Sequence, residues 1–256
     1  MKLALHRIKT AATRAGNKLR GRRNVHLLHI GKTGGTAIKN ALRLAVPSQT
    51  SIILHPHQIT LTHIPPGDGF VFFVRDPIAR FVSGFFSRKR KGFPAHDKGW
   101  SMSEQAAFSR FPTPDALASS LESEAADTRA AAVQAMQSIE HVRSTYWDWF
   151  INRGNLTERR ADIVFVGQQE SLTQDFEQMK QMLELPQALA LPADPANAHT
   201  SPAGEDRELS DQARENLSRW YAQDYDLLDI CAEWRSTVLE RPFEYTYCRP
   251  LEVRPP

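Results

Sequence analysis

The sequence has little cysteine and no long apolar stretch. Cys231 and Cys248 are its two cysteines, which excludes a disulfide-dense scaffold and a cysteine-rich zinc module. A single disulfide bond between these two cysteines remains an alternative. No stretch approaches the roughly 20 apolar residues that a membrane-spanning helix needs. Residues 1–23 also lack the apolar core of a secretory signal. These absences predict a cytoplasmic protein.

Acidic residues are missing from the first 67 positions, up to Asp68. That segment carries eleven Lys or Arg, and the net charge of +3 leaves −8 for the rest of the chain. This uneven distribution of charge along the chain indicates an anionic ligand or surface near the N-terminal part. It does not identify the anion, but no helix-turn-helix, zinc-finger or RNA-binding signature accompanies the charge. Nucleic acid is therefore not a predicted partner.

Eight of these basic residues fall within residues 1–23. Three interpretations of this segment stay open: a solvated tail, an amphipathic helix in peripheral contact with an anionic membrane (the inner membrane, if the protein is bacterial), and a transit-like segment. The length of the chain suits one sizeable domain or at most two small ones. We predict a basic N-terminal tail over residues 1–23 and a single domain over residues 24–256.

From residue 25 onward, apolar β-prone runs alternate with helical patterns, which predicts an α/β fold with a parallel sheet. Strands are predicted at residues 25–30, 51–54, 70–74 and 162–166. Helices are predicted at residues 36–45, 77–91, 116–149, 172–185 and 208–230. Residues 92–114 and 186–207 are rich in Gly and Pro and are predicted to be mostly loop.

A Gly-rich loop between the first strand and the first helix of this pattern is the most informative motif. Residues 29–36 read His-Ile-Gly-Lys-Thr-Gly-Gly-Thr. Glycines let the backbone N–H groups surround an anion, and the N-terminus of the following helix adds further donors. A Walker A loop would need a glycine at position 26, which is His26. The pattern predicts a shorter phosphate cradle, with a plain Gly-rich turn as the alternative.

A second motif starts at the end of the third predicted strand, where residues 75–83 run from Arg75 to Ser83. The two residues lie eight positions apart, about two helical turns. A guanidinium and a hydroxyl make a suitable phosphate clamp at the carboxyl edge of a parallel sheet. Asp76, followed by Pro77, is predicted to cap the next helix. A Walker B-like acid is the alternative for Asp76.

These two motifs, in this order and about 40 residues apart, resemble those of carbohydrate sulfotransferases. The family normally has Pro where Gly31 stands. The resemblance implies a P-loop-like α/β sandwich with a central parallel sheet flanked by helices. It also implies transfer of the sulfuryl group of 3′-phosphoadenosine-5′-phosphosulfate (PAPS) to a hydroxyl of a carbohydrate or glycan acceptor. By this resemblance, the 5′-phosphosulfate is held by Lys32, Thr33, Gly34, Gly35 and Thr36. The 3′-phosphate is held by Arg75 and Ser83.

Transfer to an alcohol also needs a base for the acceptor proton. Residues 55–57 read His-Pro-His and resemble the His-Gly-His of uronyl 2-O-sulfotransferases. This resemblance implies His57 as the base and His55 as a supporting or acceptor-orienting residue. Loop histidines without a role are the alternative, and His29 and His63 compete for the same task. Lys32 is expected to stabilise the leaving phosphate. No metal is expected.

Other features are less specific. The basic run of residues 88–91 is predicted to be a solvated helix end, with attraction of an acidic glycan as the alternative. Trp100 and the aromatic residues at 146–150 are expected to be core, with stacking on sugars as the alternative. Two rival functions remain: an Mg-ATP-dependent P-loop kinase or NTPase, and a non-catalytic glycan- or anion-binding protein. The acceptor and the oligomeric state do not follow from the sequence.

Overall fold

The computed structural model describes residues 2–45, 49–94, 96–193 and 204–239. Cys248 lies outside them, so a bridge to the buried Cys231 is not tested. The chain divides into two compact units: a first unit of Met1–Val74 and Tyr146–Ala198, and a second unit of Arg75–Thr145 and His199–Pro256. Within the described residues, the first unit holds all strands and the second is built from helices.

The sheet of the first unit has four parallel strands in the order β2-β1-β3-β4. They are β1 (Arg23–Leu28), β2 (Thr50–Leu54), β3 (Gly69–Val74) and β4 (Ile163–Gln168). Every residue of β3 is buried, as expected for a central strand of a parallel sheet covered on both faces. The predicted α/β class, with a central parallel sheet flanked by helices, is confirmed, and the predicted strands match the observed ones closely.

Eleven α-helices occur in the described part of the chain. They are α1 (Lys2–Leu19), α2 (Gly35–Leu42), α3 (Pro77–Lys89), α4 (Met102–Arg110), α5 (Pro114–Ser119), α6 (Ala126–Ser138), α7 (Trp147–Phe150), α8 (Arg153–Glu158), α9 (Leu172–Met182), α10 (Asp211–Trp220) and α11 (Ala222–Leu239). The basic N-terminal segment thus contains helix α1. None of the helices in the described residues combines the length and apolar character that crossing a bilayer requires.

Helix α4 lies in a region that the sequence analysis assigned to loop. It begins with a capping box, in which Ser101 accepts a hydrogen bond from the backbone N–H of Glu104 and the Glu104 carboxylate accepts one from the N–H of Ser101. This pairing satisfies two backbone donors at the start of the helix. The sequence contains the Ser-x-x-Glu spacing of a capping box, but the Gly and Pro residues on both sides of it favoured a loop.

Two long predicted helices are each interrupted. Residues 116–149 divide into parts of α5 and α7, the whole of α6 and a short 3₁₀ turn, Ser120–Glu122. Residues 208–230 divide at Tyr221, between α10 and α11. Tyr221 is buried, and its hydroxyl donates to the carbonyl oxygen of Val142 at 2.9 Å. Neither segment contains a Gly or Pro, the residues that usually mark a helix break in a sequence. We therefore attribute these breaks to tertiary packing.

Each unit has its own apolar core. In the first unit, Phe72 of β3 meets Phe150 of α7 edge to face, with ring centroids 4.9 Å apart. In the second unit, α3 supplies Phe81 and Phe85, which pack in one cluster with residues of α5, α6 and α10. The loops that follow β1 and β2 belong to the first unit, and α3 belongs to the second.

Candidate functional site

The predicted cradle and the predicted histidine pair follow two neighbouring strands of the first unit. Residues 29–34 connect β1 to α2, and residues 55–57 follow β2 directly. The two strands are parallel and paired, with Leu27 beside Leu54 near their carboxyl ends. Their following loops therefore leave the same edge of the sheet, which is where open α/β folds bind ligands.

The loop after β1 has the backbone of an anion cradle. Lys32 (φ 68°) and Gly34 (φ 81°) both adopt the left-handed conformation, and Gly34 is the N-cap residue of α2. Its N-cap, Gly34, has no side chain that could cap the helix start, and the backbone N–H groups of a first helical turn are suited to binding an anion. The hydroxyl of the buried Thr33 donates to the carbonyl oxygen of Ile30 at 3.0 Å. Thr33 thus braces the loop, and a contact with an anion would come from its backbone N–H.

The two glycines of the cradle allow close packing beneath it. A Cβ atom at Gly35 would lie 2.2 Å from Cδ2 of His29, and one at Gly34 would lie 2.9 Å from a methyl carbon of Leu172. His29 is 4% exposed. Its imidazole therefore lies directly against the first turn of α2. Lys32 and Thr36, on either side, are half-buried.

His57 is exposed and lies beside His29. Their ring centroids are 3.7 Å apart, and Nδ1 of His57 lies 3.2 Å from the carbonyl oxygen of His29. A carbonyl only accepts, so Nδ1 of His57 carries the hydrogen, and the neutral ring has its lone pair on Nε2. The indole Nε1 of Trp149 donates to the carbonyl oxygen of His57 at 2.9 Å. The structure thus places His57 next to the cradle through His29.

His55 occupies a different environment, because its ring is 2% exposed and both ring nitrogens bond to other histidines. Nε2 lies 2.7 Å from Nδ1 of His26, and Nδ1 lies 2.9 Å from Nε2 of His6. An acceptor-orienting contact by this ring would require one of these bonds to break. Its backbone carbonyl accepts a hydrogen bond from Nζ of Lys39 on α2, at 3.1 Å.

The two bonds belong to a chain that runs from His6 through His55 and His26 to Asp68, in which His55 and His26 are buried and the two end residues are half-buried. Nε2 of His26 donates to the Asp68 carboxylate at 2.9 Å, and Asp68 also pairs with Arg14. Burial would raise the pKa of Asp68, but the hydrogen bonds from Arg14 and His26 lower it below its ordinary value. With Asp68 accepting, each neutral imidazole donates through Nε2 to the next group.

These histidines are held neutral. Burial, together with the neighbouring His26, lowers the pKa of His55 from 6.5 to about 3. Burial also lowers the pKa of His26 and of His6. Apart from His55, no member of this chain is predicted from the sequence, because bonded members lie 29 to 49 positions apart and no local motif connects them. Within the described residues, no group of three or more His, Cys, Asp or Glu side chains is arranged to hold a metal ion.

The second unit holds the other predicted binding residues. Arg75 is half-buried and directly follows β3 in the chain, and Ser83 is buried within α3. Between them, the Asp76 carboxylate accepts hydrogen bonds from the backbone N–H groups of Ile78 (2.9 Å) and Ala79 (3.0 Å). The capping role that the sequence predicted for Asp76 is confirmed.

The basic run of residues 88–91 was predicted to be solvated, but its first residue, Arg88, is not. Arg88 is buried and forms a two-pronged ion pair with the buried Glu104, with both N···O distances 2.8 Å. Burial would raise the pKa of Glu104, but the hydrogen bonds from Arg88 lower it to about 2. The solvated interpretation is therefore wrong for Arg88, whose charge is neutralised inside the unit.

The aromatic residues for which stacking on sugars was the alternative pack mainly in the cores. Tyr146, Trp149 and Phe150 are buried in the first unit. Trp100 packs against Phe108, with ring centroids 5.0 Å apart, and its indole donates to the carbonyl oxygen of Arg88 at 2.7 Å. The expectation that these side chains are core residues is confirmed for Tyr146, Trp149 and Phe150, whereas Trp100 and Trp147 are half-buried.

Residues 18–229 match the model of the sulfotransferase family. The match contains the cradle, the His55-Pro56-His57 segment, and both Arg75 and Ser83. No curated protein and no solved structure gives a significant match to the chain.

Proposed function

The chain belongs to the sulfotransferase family, and we propose that it transfers the sulfuryl group of PAPS to a hydroxyl of a carbohydrate acceptor, with His57 as the base. One observation carries the proposal. An exposed imidazole, fixed through Nδ1 by the His29 carbonyl, lies beside the ring that packs against the cradle at Gly35. The proposed base and the proposed anion cradle would thereby lie side by side, as sulfuryl transfer to an alcohol requires.

The cradle fits a phosphosulfate group. Its left-handed residues Lys32 and Gly34, and a helix start whose N-cap residue is a glycine, suit an anion that approaches the backbone closely. Lys32, Thr33, Gly34, Gly35 and Thr36 would hold the 5′-phosphosulfate. PAPS, when bound, supplies an activated sulfuryl group on a phosphate leaving group. The ammonium of Lys32 would stabilise negative charge on that phosphate.

Arg75 and Ser83 would hold the 3′-phosphate. A guanidinium binds phosphate through charge-assisted hydrogen bonds, and a hydroxyl adds one more donor. Both residues belong to the second unit, where the Asp76 cap fixes the start of the helix that carries Ser83. This assignment rests on the resemblance of residues 75–83 to the 3′-phosphate motif of the family.

The proton of the acceptor hydroxyl would move to Nε2 of His57. The hydrogen bond from Nδ1 to the His29 carbonyl favours the tautomer with its lone pair on Nε2, and it remains in place when the ring becomes an imidazolium. The His-x-His segment supports a uronyl 2-O-sulfotransferase-like enzyme. His55 would support the loop through its bonds to His26 and His6, rather than by touching the acceptor.

Calorimetric binding of 3′-phosphoadenosine-5′-phosphate, compared with ATP in the presence of Mg²⁺, tests the donor site. We expect metal-independent binding of the bisphosphate that falls at least tenfold in Lys32→Ala and in Arg75→Ala, since each loses a charge-assisted contact. Arg110→Ala is the matched control, because Arg110 is exposed and pairs with the exposed Asp127. Preference for Mg-ATP would replace the proposal with a kinase or NTPase.

Turnover with labelled PAPS and a panel of uronic acid-containing and neutral glycans tests the transfer. His57→Ala is expected to bind the bisphosphate like the wild type and to lose at least about 100-fold in kcat, as loss of a general base does. Bisphosphate binding without turnover on any glycan would favour a non-catalytic binding protein or a different acceptor class.

A further inference from the structure

Helix α1 packs against the rest of the first unit through its polar face. His6 bonds to His55, Arg14 pairs with Asp68, and Asn17 donates from Nδ2 to Oδ1 of Asn24 at 2.8 Å. These three residues recur at intervals of eight and three positions, which places them on one side of the helix. The side that packs on the protein is thus the hydrophilic one, the reverse of an ordinary surface helix.

The opposite side of α1 presents an apolar stripe outward. Leu5 is 52% exposed, Ile8 is 67% exposed and Leu19 is 89% exposed. Ile8 follows Leu5 by three positions, and Leu19 follows Ile8 by eleven, so all three lie on one face at 3.6 residues per turn. Ala12 and Ala15 are exposed on the same face and fill the gap between Ile8 and Leu19.

Exposed cations border this stripe on both sides. At 100° per residue, Arg7 and Lys18 lie along one border and Lys9 lies along the other. No acidic residue precedes Asp68 in the chain, and Asp68 is itself paired with Arg14 and His26. The outward surface of α1 is therefore apolar in the middle and cationic at its edges.

We propose that α1 binds the surface of an anionic lipid bilayer, with Leu5, Ile8 and Leu19 inserted among the acyl chains near the headgroups. Helices of this pattern lie in the plane of the interface, and the cations pair with anionic headgroups. A nucleic acid would satisfy the cations but leave the apolar stripe in water. In a symmetric pair of chains, the cationic borders of the two helices would repel each other. The proposal is independent of the donor and acceptor proposed above.

Cosedimentation of the full chain with lipid vesicles tests it. Vesicles of phosphatidylcholine with about a third phosphatidylglycerol should bind the protein at least about 25-fold more tightly than pure phosphatidylcholine, since each basic residue contributes about fivefold. Raising NaCl to about 0.5 M should reverse most of this difference. Leu5→Ser with Ile8→Ser should lower binding by about tenfold per residue.

Leu44→Ser is the matched control, because Leu44 is 78% exposed but lies outside α1; it should bind vesicles like the wild type. Circular dichroism and urea denaturation of each variant check that the fold is retained. Equal binding to neutral and anionic vesicles would overturn the proposal. So would wild-type vesicle binding by the double variant, or an absence of vesicle binding together with self-association that the double variant loses.

Discussion

The indole Nε1 of Trp149 donates a 2.9 Å hydrogen bond to the main-chain carbonyl oxygen of His57. Trp149 belongs to α7, and His57 lies 92 positions earlier, in the loop after β2. The indole is buried, whereas His57 is exposed. A rigid core residue thus holds the backbone of the proposed base, while the His29 carbonyl holds its ring.

Trp149→Phe should weaken catalysis without weakening donor binding. The variant keeps an aromatic ring in the core but loses the N–H donor, and a hydrogen bond of this kind contributes about 1 kcal/mol. We expect kcat to fall about fivefold, with bisphosphate affinity within about twofold of wild type. In a His57→Ala background the same change should have little further effect on kcat. Trp147→Phe on the same helix is the control, and an equal loss there would contradict the role of Trp149.

Gly35→Ala should disrupt the cradle. The new methyl group would lie 2.2 Å from His29, whose ring is itself packed against His57, so the side chains must move. Overpacking of this kind costs about 1–3 kcal/mol in the free energy of unfolding, measurable by urea denaturation. We also expect bisphosphate binding to fall more than tenfold. Gly99→Ala is the control, because a Cβ there meets no atom within 4 Å; wild-type behaviour of Gly35→Ala would refute the close packing.

The buried histidine chain should make the protein sensitive to mild acid. The folded-state pKa of His55 is about 3, below its ordinary 6.5, so the unfolded chain binds more protons between these values. Its contribution to stability is complete above about pH 6.5 and is lost progressively as the pH falls below it. When the pH falls from about 7.5 to about 5, protonation of His55 in the unfolded chain should lower the free energy of unfolding by about 2 kcal/mol.

Urea denaturation at these two pH values measures the effect. His55→Gln removes the titrating ring and should flatten the dependence on pH, even if the variant is less stable at neutral pH. His96→Gln, at an exposed histidine, should retain the wild-type dependence. Equal stability of the wild type at both pH values would show that His55 is not held neutral in the folded protein.

Arg88→Ala should destabilise the second unit. It leaves the Glu104 carboxylate buried without its two-pronged partner, which typically costs about 3–5 kcal/mol. Arg110→Ala, at an exposed ion pair, should cost no more than about 1 kcal/mol. The double variant Arg88→Met, Glu104→Gln should recover most of the loss, because no charge is then left buried and the amide oxygen at position 104 still offers an acceptor to the N–H of Ser101 in the manner of the Glu104 carboxylate. A double variant as unstable as Arg88→Ala would show that the pair itself is not the cause.

Local sequence was sufficient for the strands and for several helix starts. The apolar run at β3 predicts a buried strand because every side chain there must leave water, whichever partners it meets. Asp76 with Pro77 predicts a helix start because a carboxylate can accept the first free N–H groups. The breaks at residues 120 and 221 were missed, because they depend on packing partners elsewhere in the chain.

The sequence by itself determined that the Gly-rich loop of residues 29–34 lies between a strand and a helix, because the apolar run before it and the helical pattern after it are local signals. Tertiary structure alone decided that His29 lies between Gly35 and His57, and that both ring nitrogens of His55 form hydrogen bonds to His6 and His26. It also decided which face of α1 points outward. These relationships depend on which strands pair and how the intervening loops close, and the hydrogen-bond partners of a side chain are set by that long-range geometry.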